Sequence, residues 1–193
     1  MTGLSKEKAE LRKRMLATRA SLSVEERAQA NRNMLSKMRS LPEYQEAQTI
    51  FIYVSVTDEP DTRELMQDAW KQGKRVCVPL CESLGIMHAH EICSMDDLVA
   101  GKYDIPEPKE TCKRIPPEEI DLNIVPCVCC SIDGYRLGYG GGFYDCWLTN
   151  RQAPAALLCF EKMLVSSVPR DERDQRVNIL VSDAAGPVLR FEV

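Results

Sequence analysis

Short apolar runs rich in β-branched residues alternate along this chain with segments of helical character, and this alternation constrains the fold more than any other feature. Residues 49–55 read T-I-F-I-Y-V-S, which favours a strand buried on both faces. A helix is predicted over 62–72, and the next strand begins at Arg75. Such alternation predicts a mostly parallel sheet with helices on both faces. We therefore expect an α/β fold, with residues 1–193 forming one three-layer α/β/α domain and a Rossmann-like sheet.

The remaining elements follow from the same patterns. Two helices are predicted ahead of the first strand, over 5–20 and from Ser23 onward, where Ser23 and Glu26 form a capping box. Val24 and Met34 belong to the expected inner stripe of the second helix. The other predicted segments are strands at 75–80, 86–92, 122–130, 155–160 and 178–182, helices at 94–100 and 143–150, and a proline-rich loop over 101–120. Ligands of parallel sheets bind beyond the carboxyl ends of the strands, so the segments after residues 55 and 130 are the first places to look.

Charge and hydropathy limit the partners. The formal net charge of -4 gives no general attraction for nucleic acid or for an anionic membrane. An anionic ligand must therefore be held by a local cluster of cations. No run approaches the roughly 20 apolar residues of a membrane helix, and the N-terminal residues lack the apolar core of a secretory signal. We expect a cytoplasmic monomer that acts on small molecules.

The chain has nine cysteines, an odd number with scattered spacing. This pattern is typical of a reduced protein that uses cysteine as a small buried apolar residue. A metal site with His88 and His90 is the alternative, and it is disfavoured because the spacings do not match those of zinc sites.

The densest motif is the glycine-rich stretch over 133–145, D-G-Y-R-L-G-Y-G-G-G-F-Y-D. Glycines between a strand and a helix let backbone N–H groups approach a phosphate, although a plain turn would look the same. Arg136 adds a fixed cation, and Asp145 could hold a divalent metal against the phosphates. Neither the dinucleotide fingerprint nor the Walker lysine pattern is matched.

The segment R-L-G-Y-G-G-G-F-Y-D resembles the signature of the 5-formyltetrahydrofolate cyclo-ligases, also called methenyltetrahydrofolate synthetases. The resemblance spans nearly the whole chain in order and spacing. It includes Lys8-x-x-Leu-Arg12, Ser55-x-x-Asp-Glu-x-x-Thr62, Ile105-Pro-Glu-Pro108, Asp121-Leu-x-x-Val-Pro126 and Arg173-Asp174-x-x-Val177.

The resemblance implies an ATP- and Mg²⁺-dependent ligase of folate and one-carbon metabolism. The formyl oxygen on N5 of the folate would attack the γ-phosphate to give an N5-iminium phosphate. N10 would then close the ring, leaving 5,10-methenyltetrahydrofolate, ADP and phosphate. Phosphorylation makes chemical sense, because an amide-like formyl carbon is a poor electrophile until its oxygen becomes a good leaving group.

The resemblance also implies roles for individual residues. The catalytic residues would be Arg136 and Tyr144, and the metal ligands Asp145 and Asp174. ATP would be bound by Lys8, Arg12, Arg136, Gly138, Tyr139, Gly140, Gly141, Gly142, Phe143 and Tyr144. The folate would contact Arg12, Val54, Glu59, Tyr103, Tyr139, Gly141 and Tyr144. From the residues alone, a solvated helix face is favoured for Lys8 and Arg12. Asp174 could equally lie in a charged surface run, and Tyr103 could equally serve loop packing.

Two departures from some relatives stand out. Tyr139 and Gly141 occupy positions where those relatives carry basic residues. Cysteines at 127, 129 and 130 are predicted to pack beside the glycine loop, where a thiol of low pKa would be sensitive to oxidants.

Two alternatives to the cyclo-ligase remain at this point. One is a relative that binds nucleotide or folate without turnover. The other is an ATP-independent enzyme on a related scaffold, such as a sugar-phosphate isomerase or a CoA transferase.

Overall fold

The computed structural model describes residues 3–83, 85–102, 105–149 and 151–193. Its helices are α1 (Gly3–Ala20), α2 (Val24–Ser40), α3 (Pro42–Glu46), α4 (Arg63–Lys71) and α5 (Phe143–Thr149). Its strands are β1 (Thr49–Ile52), β2 (Arg75–Ser83), β3 (Ile86–Ile92), β4 (Leu98–Ala100), β5 (Pro106–Pro108), β6 (Arg114–Ile115), β7 (Leu122–Val125), β8 (Cys129–Ser131), β9 (Arg136–Leu137), β10 (Ala155–Cys159), β11 (Leu164–Val165), β12 (Ile179–Ser182) and β13 (Leu189–Arg190).

The main sheet has eight strands in the order β13-β12-β10-β7-β1-β2-β3-β6. The five strands from β12 to β2 are parallel, while β13, β3 and β6 join antiparallel at the edges. The mostly parallel α/β sheet is therefore confirmed. A second sheet of β11, β8 and β9 and a small β4–β5 ladder lie outside it.

Helices cover the two faces of this sheet unequally. In β1, Ile50 and Ile52 belong to the same apolar cluster as the buried side chains of α1, α2 and α4. Phe51, between them, belongs to the cluster on the other face, where its ring stacks on Trp147 of α5 with 4.5 Å between centroids. Alternate residues of a strand point to opposite faces, so the four buried residues of β1 place this strand at the centre of three layers.

The start of α2 shows how the local sequence sets an element. Ser23 accepts a hydrogen bond from the backbone N–H of Glu26, and the Glu26 carboxylate accepts one from the Ser23 N–H, which confirms the capping box. Met34 is buried as predicted, but Val24 is wrong as a core residue, because it is the first helical residue and is 69% exposed.

Two predicted elements are wrong. Residues 122–130 do not form one strand, because Pro126 has no N–H to donate: β7 ends at Val125, and the chain turns into β8 of the second sheet. Residues 94–100 do not form a helix. Only Met95–Asp97 makes a single 3-10 turn, after which Val99, a β-branched residue, pairs with Glu107 in the β4–β5 ladder.

No helix within the described ranges is both long enough and apolar enough to cross a membrane.

Candidate active site

The candidate site lies where the chain leaves the carboxyl ends of β1 and β7, as the parallel sheet predicts. The segment after β1 carries Glu59, and the segment after β7 leads through β8 and β9 into the glycine loop, residues 138–142. Helix α1 contacts both segments. The site is therefore assembled from three parts of the chain that are far apart in sequence.

Three cations of α1 reach this region. Lys8 binds both carboxylate oxygens of Asp174, at 2.7 and 2.6 Å. One turn further along, Arg12 donates from Nε to the carbonyl oxygen of Gly138 at 2.9 Å. Arg19, two turns beyond Arg12, forms an ion pair with Asp58 at 2.9 Å. The alternative that Lys8 and Arg12 only face solvent is therefore wrong.

The backbone of the glycine loop requires glycine at its centre. Gly140 has φ of +104° and Gly142 has φ of +69°, a region that side chains with a Cβ rarely adopt. A Cβ on Gly140 would also lie 3.4 Å from the Arg12 guanidinium. At Gly141 a Cβ would meet the ring of Phe143 at 2.8 Å. The loop therefore keeps its main chain close to a fixed cation, with no side chain between them.

Tyr139 joins the glycine loop to the segment after β1. Its hydroxyl accepts a hydrogen bond from Arg19 at 2.6 Å and donates one to Oε1 of Glu59, also at 2.6 Å. The other carboxylate oxygen of Glu59 accepts the backbone N–H of Val56 at 3.1 Å. Both oxygens of this carboxylate are thereby oriented, and Glu59 is held against the loop.

Burial controls the ionisation of this cluster. Glu59 is only 8% exposed, and burial raises the pKa of its carboxyl although the bond from Tyr139 acts in the opposite direction. Burial also raises the pKa of the Tyr139 hydroxyl, reinforced by the nearby Glu59 carboxylate. Tyr139 therefore acts near neutral pH as a hydrogen-bond donor and acceptor and not as a base.

Arg136 is the buried cation beneath the other side of the loop. It is 4% exposed and donates from Nη2 to Oδ1 of Asp145 at 3.1 Å, while its guanidinium lies 5.9 Å from the centre of the Tyr144 ring. Its Nε has no hydrogen-bond partner among the described residues. A buried donor without a partner is costly, so a ligand that accepts this hydrogen bond would be stabilised here.

Tyr144 lies between this cation and the core. Its ring packs against Phe51, with 6.5 Å between centroids, and burial raises the pKa of its hydroxyl well above the ordinary value. Tyr144 therefore remains protonated near neutral pH and can only donate or accept a hydrogen bond. Val54, also expected at the site, is buried just beyond the end of β1.

The Asp145 carboxylate contacts the segment that carries Asp174. The backbone N–H of Gln175, the residue after Asp174, donates to Oδ1 of Asp145 at 3.1 Å. Both hydrogen bonds that the Asp145 carboxylate accepts within the described ranges go to Oδ1, which leaves Oδ2 open. Carboxylate oxygens suit Mg²⁺, so Asp145 fits such an ion. Asp174 has the right donors, but Lys8 engages both of its oxygens.

The structure thus brings together nearly all the residues singled out in the sequence. Lys8, Arg12, Glu59 and Arg136 converge on or beside the glycine loop. Tyr103 lies outside the described residues. Cys127, Cys129 and Cys130 are buried, and the last two pair with β9, the strand before the glycine loop.

Sequence reasoning missed Arg19 and its partner Asp58. The signal was present, because Arg19 continues the buried stripe of Leu11 and Met15 at intervals of four residues. A charge placed where an apolar side chain is expected requires a partner inside the protein. In the structure Arg19 has Asp58, Tyr139 and the carbonyl oxygen of Cys127.

A cavity of about 290 Å³ lies between β3, β6 and α5. Its lining includes His88, Arg114 and Trp147. None of the residues that converge on the loop lines it, so the side-chain geometry and not the cavity locates the candidate site.

Comparison with known proteins points to one family. The sequence model of the 5-formyltetrahydrofolate cyclo-ligase family matches residues 4–183. The 5-formyltetrahydrofolate cyclo-ligase of Escherichia coli strain K12 is 32% identical over 137 residues, which cover 69% of this chain and 75% of that protein. The mouse (Mus musculus) protein of the same name is 28% identical over 191 residues, 92% of either chain.

A solved structure agrees with these matches. The 5,10-methenyltetrahydrofolate synthetase of Aquifex aeolicus superposes with a TM-score of 0.85 at 31% identity, covering 96% of this chain and 93% of the other. The likeness in sequence and the likeness in fold therefore lead to the same group of enzymes.

Proposed function

The chain belongs to the 5-formyltetrahydrofolate cyclo-ligase family and is an enzyme, and from this premise we propose that it converts 5-formyltetrahydrofolate to 5,10-methenyltetrahydrofolate with ATP and Mg²⁺. The formyl oxygen attacks the γ-phosphorus, the bond from that phosphorus to the β-phosphate oxygen breaks, and ADP leaves. N10 then adds to the activated carbon of the N5-iminium phosphate and loses its proton. Departure of inorganic phosphate, which carries the former formyl oxygen, leaves the methenyl bridge.

One observation carries the proposal: the 2.6 Å hydrogen bond from the Tyr139 hydroxyl to Glu59. Tyr139 belongs to the loop that would hold the triphosphate, and Glu59 is the acid that would hold the folate. Transfer of a phosphoryl group requires the two substrates to meet in line, and positioning supplies much of the rate enhancement. A hydrogen bond between the nucleotide-binding loop and the folate-binding acid would hold the two substrate sites at a fixed distance, as such a transfer needs.

At the nucleotide end, backbone N–H groups of the glycine loop would receive the phosphates. Arg12 contacts this loop, Arg136 pairs with Asp145 just after it, and Lys8 pairs with Asp174. All three cations would offset the phosphate charge. Arg136 is the proposed catalytic cation, because its buried guanidinium is held beside the loop by Asp145 and would stabilise the charge that develops on the transferred group. Phe143 and Tyr144 complete the nucleotide-binding set beyond the loop.

At the folate end, Glu59 would accept hydrogen bonds from the polar edge of the pterin, whose N–H groups suit a carboxylate. Val54 would line the same pocket, and Arg12, Tyr139, Gly141 and Tyr144 would contact both substrates. Tyr103 is proposed here by the family resemblance alone. The second catalytic residue, Tyr144, would donate a hydrogen bond from a hydroxyl that its raised pKa keeps protonated.

Asp145 would hold Mg²⁺ through its open Oδ2, and Asp174 would join it once the phosphates attract Lys8 away. The ion would neutralise phosphate charge and align the triphosphate for transfer. Within the described ranges, Asp145 has no partner on Oδ2 that such an ion would have to displace.

We further propose that the enzyme acts as a monomer in the cytoplasm, on small molecules and without nucleic acid or membrane partners. The net charge of -4 supports this part of the proposal. Gel filtration with light scattering checks the monomer, and a mass of two chains would contradict it.

The test is a near-ultraviolet absorbance assay that follows the methenyl chromophore from 5-formyltetrahydrofolate, with ATP and Mg²⁺ omitted in turn. Arg136→Lys keeps a charge but loses the planar donor set, and we expect kcat to fall by about a hundredfold or more. Arg190→Lys is the matched control, because Arg190 pairs with Glu43 on the surface. Absorbance that rises without ATP would contradict the proposal, as would a folded Arg136→Lys protein with the kcat of the control.

A further inference from the structure

Three cysteine thiols converge in the core, and one of them, Cys130, pairs with Arg136 of β9, the strand that leads into the glycine loop. The sulfur atoms of Cys127, Cys130 and Cys159 all lie within 4.8 Å of one another. Each of these residues is at most 5% exposed. They come from three places in the fold: the turn after β7, the middle of β8 and the last residue of β10. The spacing of cysteines along the sequence gave no indication of this cluster, because the third thiol is supplied by a different strand.

The size of the cluster suits a metal ion. Because the three sulfur atoms lie within 4.8 Å of one another, there is a central position that is no more than about 2.8 Å from each of them. A metal–thiolate bond is about 2.3 Å long, so each sulfur would need to move inward by roughly 0.5 Å at most. A small rotation about the Cα–Cβ bonds is enough for this movement, and the strands that carry the thiols can stay in place.

We propose that Cys127, Cys130 and Cys159 form a closed three-coordinate site for one soft monovalent ion, Cu⁺. Thiolate donors select soft ions over Mg²⁺ or Ca²⁺, which take oxygen ligands. Structural zinc sites require four ligands, and within the described ranges the cluster has three His, Cys, Asp or Glu donors. A filled-shell monovalent ion is satisfied by three sulfurs in a plane, so the donor count favours copper.

The surroundings suit the charge of such a site. As the three copper–sulfur bonds form, each thiol releases its proton to solvent, and the site then carries a net charge of two negatives. Arg19 donates to the carbonyl oxygen of Cys127 at 3.4 Å, and both Arg19 and Arg136 act electrostatically on the Cys127 sulfur. Two buried guanidinium groups thereby offset the charge that three bound thiolates would bring into the core.

Copper binding is measured on the full-length protein, fully reduced and kept free of oxygen. Cu⁺ is added as its acetonitrile complex in the presence of a chromogenic Cu⁺ chelator, and bound copper is counted per chain after gel filtration. We expect one copper per chain to be withheld from the chelator, with thiolate-to-copper absorption in the ultraviolet. Zn²⁺ is titrated in parallel against a chelator whose affinity for zinc matches that of the first chelator for copper. The protein should retain Zn²⁺ at least about tenfold less strongly than Cu⁺.

Variants separate the cluster from the other thiols. Cys159→Ala and Cys130→Ser should each weaken copper retention by more than tenfold, because each removes one ligand. Cys93→Ser and Cys146→Ser are the controls, since both residues are exposed and outside the cluster, and they should retain copper like the unmodified chain. Circular dichroism and thermal melting show whether each variant is folded.

Three results would overturn the proposal: no copper withheld from the chelator, equal retention with and without Cys159, or loss of retention in the exposed-cysteine variants. If the cluster variants do not fold, X-ray absorption on the copper complex of the unmodified protein decides. Three sulfur neighbours around copper support the site, and two contradict it. Each of these results concerns copper binding alone, so none depends on whether the folate reaction occurs.

Discussion

The hydroxyl of Tyr139 offers the sharpest test of how the two halves of the site are joined. Tyr139→Phe removes this one group and keeps the ring. In the structure the hydroxyl accepts a hydrogen bond from Arg19 and donates one to Glu59, each at 2.6 Å. Removing it leaves one oxygen of a buried carboxylate without its donor, while the bond from Val56 to the other oxygen remains.

The cost in stability follows from this geometry. A buried polar group that loses its partner destabilises a protein by about 1–3 kcal/mol, and by more when it is charged. The hydroxyl of Tyr139 lies between the buried Arg19 and Glu59, but the residue as a whole is 51% exposed, so water that enters beside the ring can replace part of the lost bond. We therefore expect the lower end, about 1 kcal/mol, which lowers the melting temperature of a domain of this size by about 2–4 °C.

The effect on catalysis has a definite sign. The bond from Tyr139 lowers the pKa of Glu59, against burial, which raises it. Without that bond the pKa of Glu59 rises further, and a protonated carboxyl cannot accept both pterin N–H groups. The acidic limb of the kcat/KM profile should therefore move to higher pH. A loss of about 1 kcal/mol in folate binding corresponds to about a fivefold increase in KM for the folate.

Tyr135→Phe is the matched control. Its ring packs against Arg170, with 3.9 Å between the guanidinium and the ring centroid, and its hydroxyl makes no hydrogen bond within the described ranges. We expect its melting temperature, KM and pH profile to match those of the unmodified protein. The reasoning is refuted if Tyr139→Phe and Tyr135→Phe have the same KM for the folate and the same acidic limb of the pH profile. The ionisation and orientation of the Glu59 carboxylate would then not depend on the glycine loop.

Three other changes address the phosphate loop, the metal side and the fold. Gly140→Ala should raise KM for ATP by about tenfold or more, since the added methyl group strains the loop backbone and crowds the Arg12 guanidinium. Gly186→Ala is the control, because it strains the backbone in the same way but has no neighbouring atom within 4 Å. It should lower the melting temperature in a thermal scan and leave KM for ATP unchanged. Lys8→Met should raise KM for ATP and reduce the free energy of unfolding by about 1–3 kcal/mol, because it leaves the mostly buried Asp174 carboxylate without its ion-pair partner. Asp174→Asn should raise the Mg²⁺ concentration needed for half-maximal rate. A Mg²⁺ titration unchanged by this substitution would remove Asp174 from the metal site. Ser23→Ala removes the cap of a helix and should reduce the free energy of unfolding by about 1 kcal/mol, with steady-state kinetics unchanged; an altered kcat would show that this helix end affects the site.

The sequence was sufficient for the central strands because their burial on both faces leaves a continuous apolar run. β1 and β10 are buried at every position, so their composition alone distinguishes them from the amphipathic helices. The same reasoning failed over 122–130, where the run stays apolar through Pro126 although the chain changes sheets. An apolar sequence indicates that a segment is buried, but it does not indicate which sheet the segment joins.

The candidate site divides in a similar way. Residues in the glycine motif could be predicted because their conformation depends on neighbours in sequence, as the positive φ of Gly140 and Gly142 shows. The bond of Tyr139 with Glu59 and the ion pair of Arg19 could not, because they depend on how distant segments pack. Only the interruption of an apolar stripe by Arg19 hinted that a buried charge had a partner.

In the proposed reaction the formyl oxygen of the folate is phosphorylated before the ring closes. Single-turnover reaction of 5-formyltetrahydrofolate carrying a heavy oxygen isotope in the formyl group tests this directly, with the released phosphate analysed by mass spectrometry. We expect the heavy oxygen in inorganic phosphate, one atom for each methenyl product and each ADP. Heavy oxygen found in water, with unlabelled phosphate, would contradict it.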